Sequence, residues 1–461
     1  MKRVYILMIG CLLMASCKKL VETNPPGSQL TQATVFKNDG AAAAAMNYPY
    51  IKMAATSNTT SGQFSLDIMA GLSADEDSTV IPADMDFYRN DLTPRRSLAI
   101  WGEYYQLIFH VNAVIEGIQD PAISAAVRNQ LMGEALFLRA FLHHYLVNFY
   151  GKVPLVTTTY AATNSKAVRA PQDTVYKQII ADLRQAKQLL GNDYYTPLWT
   201  VTTERVRPNK WAATAMLARV YLYTKQYALA EAEATELINH TAAYNLVSLD
   251  SAFLKNNRES IWQLQSIATG VDTWEGAQRI LTAKPDNFKP VSMSHRLYNS
   301  FEAGDQRKIK WTGRITADGR QYPFPYKYKV MSNNSTNKSE YLVVLRLAEQ
   351  YLIRAEARAW QGKIPEARAD LNAIRRRAAL LDVQTTDRDL LLLAIEQERR
   401  VELFAEWGHR WLDLKRTGRI DEVMSIVTAQ KGGVWKSHQQ WYPILETEIR
   451  ANPNLEQTPG Y

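Results

Sequence analysis

The sequence predicts a mainly α-helical body of tetratricopeptide-like helical hairpins, with long irregular loops and a few short strands. Three observations lead there. Apolar residues recur at helical spacing through most of the chain, two segments share a helical-hairpin pattern, and β-type runs are sparse and short. Composition agrees with a packed body: of 461 residues, 46% are hydrophobic and 22% charged, and 21 Gly with 18 Pro are too few for a fibrous chain. A net charge of +8 without long basic blocks gives nucleic-acid binding no support.

The chain opens on an address. Met1-Lys2-Arg3 is a positive start, and Val4 to Met14 is an apolar run shorter than the roughly twenty residues that span a bilayer. Leu13-Met14-Ala15-Ser16-Cys17 resembles a bacterial lipobox. Residues 1–16 are therefore read as a lipoprotein signal peptide, Cys17 as the lipidated residue, and 17–27 as the tether. Asn24-Pro25-Pro26-Gly27 cannot enter a helix. Both cysteines lie in the first 17 residues, which excludes a disulfide framework and thiol catalysis in the body.

Residues 28–461 are expected to form one helical body, with an N-terminal part of about 28–210 and a C-terminal part of about 211–461. In the early segment Ala41–Ala45 favours a helix that Pro49 is expected to interrupt. Leu98 to Ile118 carries a stripe of Trp101, Tyr105, Ile108, Asn112 and Ile115, and Leu131 to Tyr150 continues helical until Gly151. Asp173 is expected to cap a helix reaching Leu190. Strands are expected at 153–159, 260–265 and 321–330, and long loops at 56–97, 191–207, 266–292 and 311–340.

Trp211 to Leu237 and Ala348 to Ile374 align without gaps, matching Ala218 to Ala355, Ala230 to Ala367 and Leu237 to Ile374. Small residues twelve apart around a turn such as Gln361-Gly362-Lys363 let two antiparallel helices pack closely, and Pro365 sits where the second would begin.

The motifs of serine hydrolases, nucleotide-binding loops and zinc proteases are absent, and the seven histidines have no ligand spacing. No catalytic residue, metal or cofactor is assigned. The acidic run Asp75-Glu76-Asp77 is expected as a solvated loop or a polar ligand contact. Glu396–Arg400 and Glu406–Arg410 are expected to pair along one structural helix.

Several longer patterns occur together. Arg139-Ala140-Phe141 through Tyr150-Gly151-Lys152-Val153-Pro154-Leu155, Leu345-Arg346-Leu347-Ala348-Glu349 with Tyr351 to Ala357, and Leu371-Asn372-Ala373-Ile374-Arg375-Arg376-Arg377-Ala378 are three of them. Others are Glu398 to Leu403, Gly408 to Arg416, Asp305-Gln306-Arg307, and the ending from Tyr442-Pro443-Ile444 to Pro459-Gly460-Tyr461. In combination the chain resembles the SusD/RagB family across nearly its whole length. The resemblance implies a SusD-like fold: a right-handed stack of tetratricopeptide-like helical pairs with an irregular ligand-binding face. It also implies a lipid-anchored, surface-exposed outer-membrane protein that binds a nutrient, most often a glycan, beside a SusC-like TonB-dependent β-barrel transporter.

Aromatic rings stack on the C–H faces of sugars while carboxylates and amides take the hydroxyls. Trp211, Trp360, Trp407 and Trp411 fall in helical runs and are expected in the core. Phe87, Tyr88, Asn90, Trp274 and Trp311, in polar turn-rich segments, together with Asp67 and Asp75, are the candidate ligand contacts. The alternatives are a peptide-binding helical scaffold and a surface glycosidase, which needs two carboxylates about 5 to 9.5 Å apart across a cleft.

Overall fold

The computed structural model describes residues 36–55 and 65–461, so the expected signal peptide, Cys17 and its tether lie outside the described residues. The first helix, α1 (Asp39–Met53), starts at Asn38, whose side chain accepts a hydrogen bond from the Ala41 amide at 2.9 Å. Contrary to expectation, α1 runs through Pro49. An internal proline costs about 3 kcal/mol by removing a hydrogen bond and crowding the preceding turn. Here Ala42, Met46, Pro49 and Met53 make one buried stripe, and that burial offsets the loss. The expected loop 56–97 contains α2 (Leu66–Ser73), β1 (Asp77–Thr79) and the short α3 (Met85–Tyr88).

Next come α4 (Ile100–Gly117), α5 (Ala125–Tyr150) and α6 (Gln172–Leu189). In α5 every residue from Gly133 to Tyr150 is buried, so this helix has no solvent face there and runs through the middle of the body. Its buried charged residues are paired. Arg139 meets Asp182 of α6 through two bonds of 2.7 and 2.8 Å, and Glu134 accepts from Arg207 and the Tyr50 hydroxyl, each at 2.8 Å. Gly151, at φ 74°, ends α5 as expected. Asp173 is not the cap of α6. It lies inside the first turn, after Pro171, where its charge still complements the helix dipole.

The first predicted hairpin is α7 (Lys210–Tyr223) with α8 (Tyr227–Ile238). An irregular region follows, holding β2 (Ser260–Leu264), α9 (Trp274–Arg279), β3 (Val291–Met293), β4 (Thr312–Ala317), β5 (Arg320–Pro325) and β6 (Leu342–Arg346). The second hairpin is α10 (Leu347–Trp360) with α11 (Ile364–Arg377). Their turns correspond: the left-handed position is Lys225 (φ 58°) in one and Gly362 (φ 76°) in the other. The matched small residues Ala218, Ala355, Ala230 and Ala367 are all fully buried. Though far apart in sequence, the two units touch in space, α8 against α10. A buried Arg219–Glu349 pair with two 2.7 Å bonds joins α7 to α10.

The strands form pairs: β1 with β3, β2 with β6, and β4 with β5, besides two two-residue ladders, Val153–Pro154 with Arg169–Ala170 and Tyr194–Tyr195 with Val201–Thr202. The strand expected at 321–330 ends at Pro325, and its partner β4 was not anticipated; Asp318-Gly319, both at positive φ, make the hairpin turn between them.

The chain closes with α12 (Arg388–Glu402), α13 (His409–Arg416), α14 (Ile420–Gln430) and a C-terminal segment whose Tyr442 and Leu455 join the main core. That core extends from Phe36 to Leu455 and draws on both expected parts of the body. The expected pairs Glu396–Arg400 and Glu406–Arg410 do not form. Because α12 stops at Glu402, Glu406 turns inward to Arg346 (2.8 Å), and Glu396 reaches Arg410 and Arg419 instead. Of the four tryptophans expected in the core, Trp360 is 44% exposed, stacked between the Tyr227 ring and the Arg388 guanidinium.

Candidate ligand-binding site

Most of the sequence-predicted contact residues converge, but in the interior rather than on the surface. Asp75-Glu76-Asp77 is buried, not solvated. It is held by cations that arrive from far along the chain. Asp75 accepts from Arg410 of α13 (2.9 Å), Arg400 of α12 (2.8 Å) and Arg296 (3.3 Å). Burial alone would raise the Asp75 pKa, but Arg410 and Arg400 overcome it and keep the carboxyl well below its ordinary range. Arg279 at the end of α9 bridges Asp67 (2.6 Å) and Asp77 (3.1 Å), tying α2 to β1. Gly71 leaves room for this bridge, since a Cβ there would stand 2.3 Å from an Asp77 oxygen. Glu76 has no such cation: burial, with Asp77 and Asp75 adding to it, raises its pKa to about 8.

The other candidates divide by exposure. Phe87 is a core residue packed edge-on to Tyr442. Asn90 is buried, donating to the Ser73 carbonyl (2.9 Å) and accepting from the Thr428 hydroxyl (2.7 Å). Trp311 is not a loop surface residue: it is fully buried, its indole donating to the Leu249 carbonyl at 2.8 Å. These side chains, with Asp67 and Asp75, are engaged in the fold. Tyr88 is half-buried, with the Lys431 ammonium 4.9 Å over its ring.

Trp274 differs. It opens α9, whose start is set by the Thr273 hydroxyl accepting from the Gly276 amide at 3.0 Å. Gly276 is required there, because a Cβ would fall 2.4 Å from the Val330 carbonyl oxygen. The Trp274 ring is half-buried, and its shielded indole nitrogen has no hydrogen-bond partner among the described residues. Such a donor costs about 1–3 kcal/mol when left unpaired. One oxygen of neighbouring Glu275 is also unpartnered, and burial with the nearby Asp67 charge raises that carboxyl's pKa. Trp274 and Glu275 line a small recess with Ala54, Ser266, Asp272 and Leu342.

The surface beside α9 adds aromatics. The loop after it folds back, Lys289 donating to the Ile280 carbonyl at 2.8 Å, and presents Phe288 with 83% of its surface exposed. Ile280 and Leu281 pack on Phe324 of β5, with Tyr322 and Tyr326 half-buried at the margin. The sequence reading missed these residues, although Phe288 meets the same criterion that selected Trp274, an aromatic in a polar loop. It also missed the arginines of the acidic cluster, for which no local signal exists. Among the described residues, no group of His, Asp or Glu side chains is placed to hold a metal ion.

Two family models cover most of the chain. One, described as starch-binding associating with outer membrane, matches residues 39–222, and the other, described as SusD family, matches 265–461. The chain belongs to the SusD/RagB family. A SusD-like protein, P38, of Formosa agariphila is 25% identical over 99% of this chain and 98% of its own. The starch-binding protein SusD of Bacteroides thetaiotaomicron is 30% identical across 41% of this chain and 35% of its own. A solved laminarin-binding SusD-like protein shares the fold, with a TM-score of 0.72 at 23% identity over 92% of this chain and 98% of its own. The mainly helical SusD-like fold expected from the sequence is thus the fold of this protein.

Proposed function

We propose that this protein captures a carbohydrate, an oligosaccharide or polysaccharide, at the outer-membrane surface and delivers it uncleaved to a SusC-like TonB-dependent transporter. Membership in a family whose matching model is described as starch-binding carries the reading, supported by relatives named for starch and laminarin. The face around α9 supports it locally. Trp274 offers a partly open ring, the surface on which a sugar's apolar face stacks. Phe288 and Tyr88 are further candidate platforms, whereas Asp67, Asp75, Phe87, Asn90 and Trp311 support the site from within.

Anchoring through Cys17 fits the same reading. Among the described residues no helix is long and apolar enough to cross a membrane. The test is retardation of the protein in native gels containing starch, laminarin, xylan, mannan or pectin, with product analysis of each polysaccharide after incubation. Binding without release of shorter sugars is expected. Trp274→Ala should weaken it by about 1–3 kcal/mol, the value of one lost aromatic partner. Released products, or affinity unchanged in that variant, would overturn the assignment.

A further inference from the structure

We propose that the cleft between the end of α5 and the C-terminal segment is a second carbohydrate-binding site, separate from the face around Trp274. The cleft encloses about 760 Å³, within the range of small-molecule sites. One wall is the α5 terminus at Tyr150–Lys152 with the start of α6; the other is the C-terminal chain around Trp441 and Glu456.

Arg169 bridges the two walls of the cleft, beside a backbone bond from the Tyr442 amide to the Phe149 carbonyl (2.8 Å). Arg169 donates to the Lys152 carbonyl (2.7 Å) and the Tyr150 carbonyl (2.6 Å) on one wall, and to the Glu456 carbonyl (3.3 Å) and Thr458 hydroxyl (3.4 Å) on the other. A site held open in this way loses little freedom when a ligand enters.

The lining has the chemistry of a sugar site. Trp441 is half-buried and lines the cleft, with the Lys415 ammonium 3.5 Å from its ring centroid. The Gln172 amide lies beside it. A Cβ placed on Gly151 would be 3.4 Å from the Trp441 ring and 3.5 Å from the Gln172 amide nitrogen, and the φ of +74° keeps that position a glycine. Neither the Gln172 amide, the Lys152 ammonium nor the Glu456 carboxylate has a hydrogen-bond partner among the described residues. A ring, a free amide and a balanced set of charges, Lys152 and Arg169 against Asp173 and Glu456, suit a neutral polyhydroxylated ligand better than a phosphate or a carboxylate, which balanced charge would not favour.

The choice of ligand class rests on the carbohydrate reading above, so the experiment separates the two claims. The full chain, Trp274→Ala, the double variant Gln172→Ala/Glu456→Ala and their triple combination are run in the same polysaccharide gels. Gln172 and Glu456 are used because neither side chain makes a hydrogen bond within the described residues; the Glu456 charge does act on Arg169, so a melting temperature equal to wild type verifies that the fold and the bridge survive. For a polysaccharide that retards wild type, the double variant should lose about fivefold or more in affinity, and the triple variant should lose binding altogether. If the double variant lost binding while Trp274→Ala kept it, the cleft would stand and the Trp274 assignment would fall. A double variant that matches wild type in every gel overturns the second site and leaves the first intact. Failure of wild type to bind any of the five would overturn the carbohydrate reading and this inference with it.

Discussion

Asp75→Ala tests whether the early acidic run is structural or ligand-facing. The carboxylate has none of its surface exposed and carries contacts to three guanidinium groups, those of Arg296, Arg400 and Arg410. Arg410 keeps Glu396 as a second partner at 3.1 Å, and Arg296 is 42% exposed, so both tolerate the loss. Arg400 does not: its side chain is 11% exposed, and among the described residues its only carboxylate within salt-bridge distance is Asp75 and its Nε lacks a partner. Removing one member of a buried pair costs about 3–5 kcal/mol, mostly for the charge left behind. With an unfolding entropy of about 2.1 cal/mol/K per residue over roughly 400 ordered residues, that loss lowers the melting temperature by about 4–6 °C. Differential scanning calorimetry on Asp75→Ala, with Lys284→Ala at the exposed Lys284–Asp318 pair as a control, measures it directly. Both variants are then run in the polysaccharide gels. A variant melting within 1 °C of wild type but no longer binding would show that Asp75 faces ligand, and the structural argument would be wrong.

Three further outcomes are expected. The Glu76 pKa, about 8 in the folded protein against an ordinary 4.5, means that folding takes up a proton between those values. Its contribution is complete below pH 4.5 and is lost as pH rises to 8, so Glu76→Gln should flatten the fall in denaturation midpoint over that window; an unchanged slope would refute the burial argument. Gly408 has φ +70°, and a Cβ there would stand 2.8 Å from the Ala70 Cβ of α2. Gly408→Ala should therefore destabilise by about 1–3 kcal/mol in urea unfolding, left-handed strain and overpacking together, and a neutral result would refute that contact. Cys17→Ala should move the protein from the membrane fraction to the soluble fraction of fractionated cells, and retention in membranes would refute lipidation at that residue.

What the sequence by itself determined follows from local physics. Helical periodicity, the paired small residues of the two hairpins and the glycine ending α5 are properties of short segments, and they placed α4, α6 to α8, α10, α11 and the end of α5 within a few residues. The recurring motifs identified the family for the same reason, since they specify those packed helices and the chain end. Tertiary structure alone decided the rest. Pro49 stays helical because its stripe is buried, a fact not written in its own neighbours, whereas β4 was legible locally, in the Asp318-Gly319 turn that joins it to β5. The acidic run reads as solvated until Arg279, Arg400 and Arg410, some two to three hundred residues away, supply the charges that let it be buried. Burial likewise separates Trp311 from Trp274, two tryptophans in similar polar contexts, because an indole's surroundings are set by whichever distant segment packs over it. The Trp441 cleft arises in the same way, where the end of the chain returns to the end of α5 and Arg169 bridges the two.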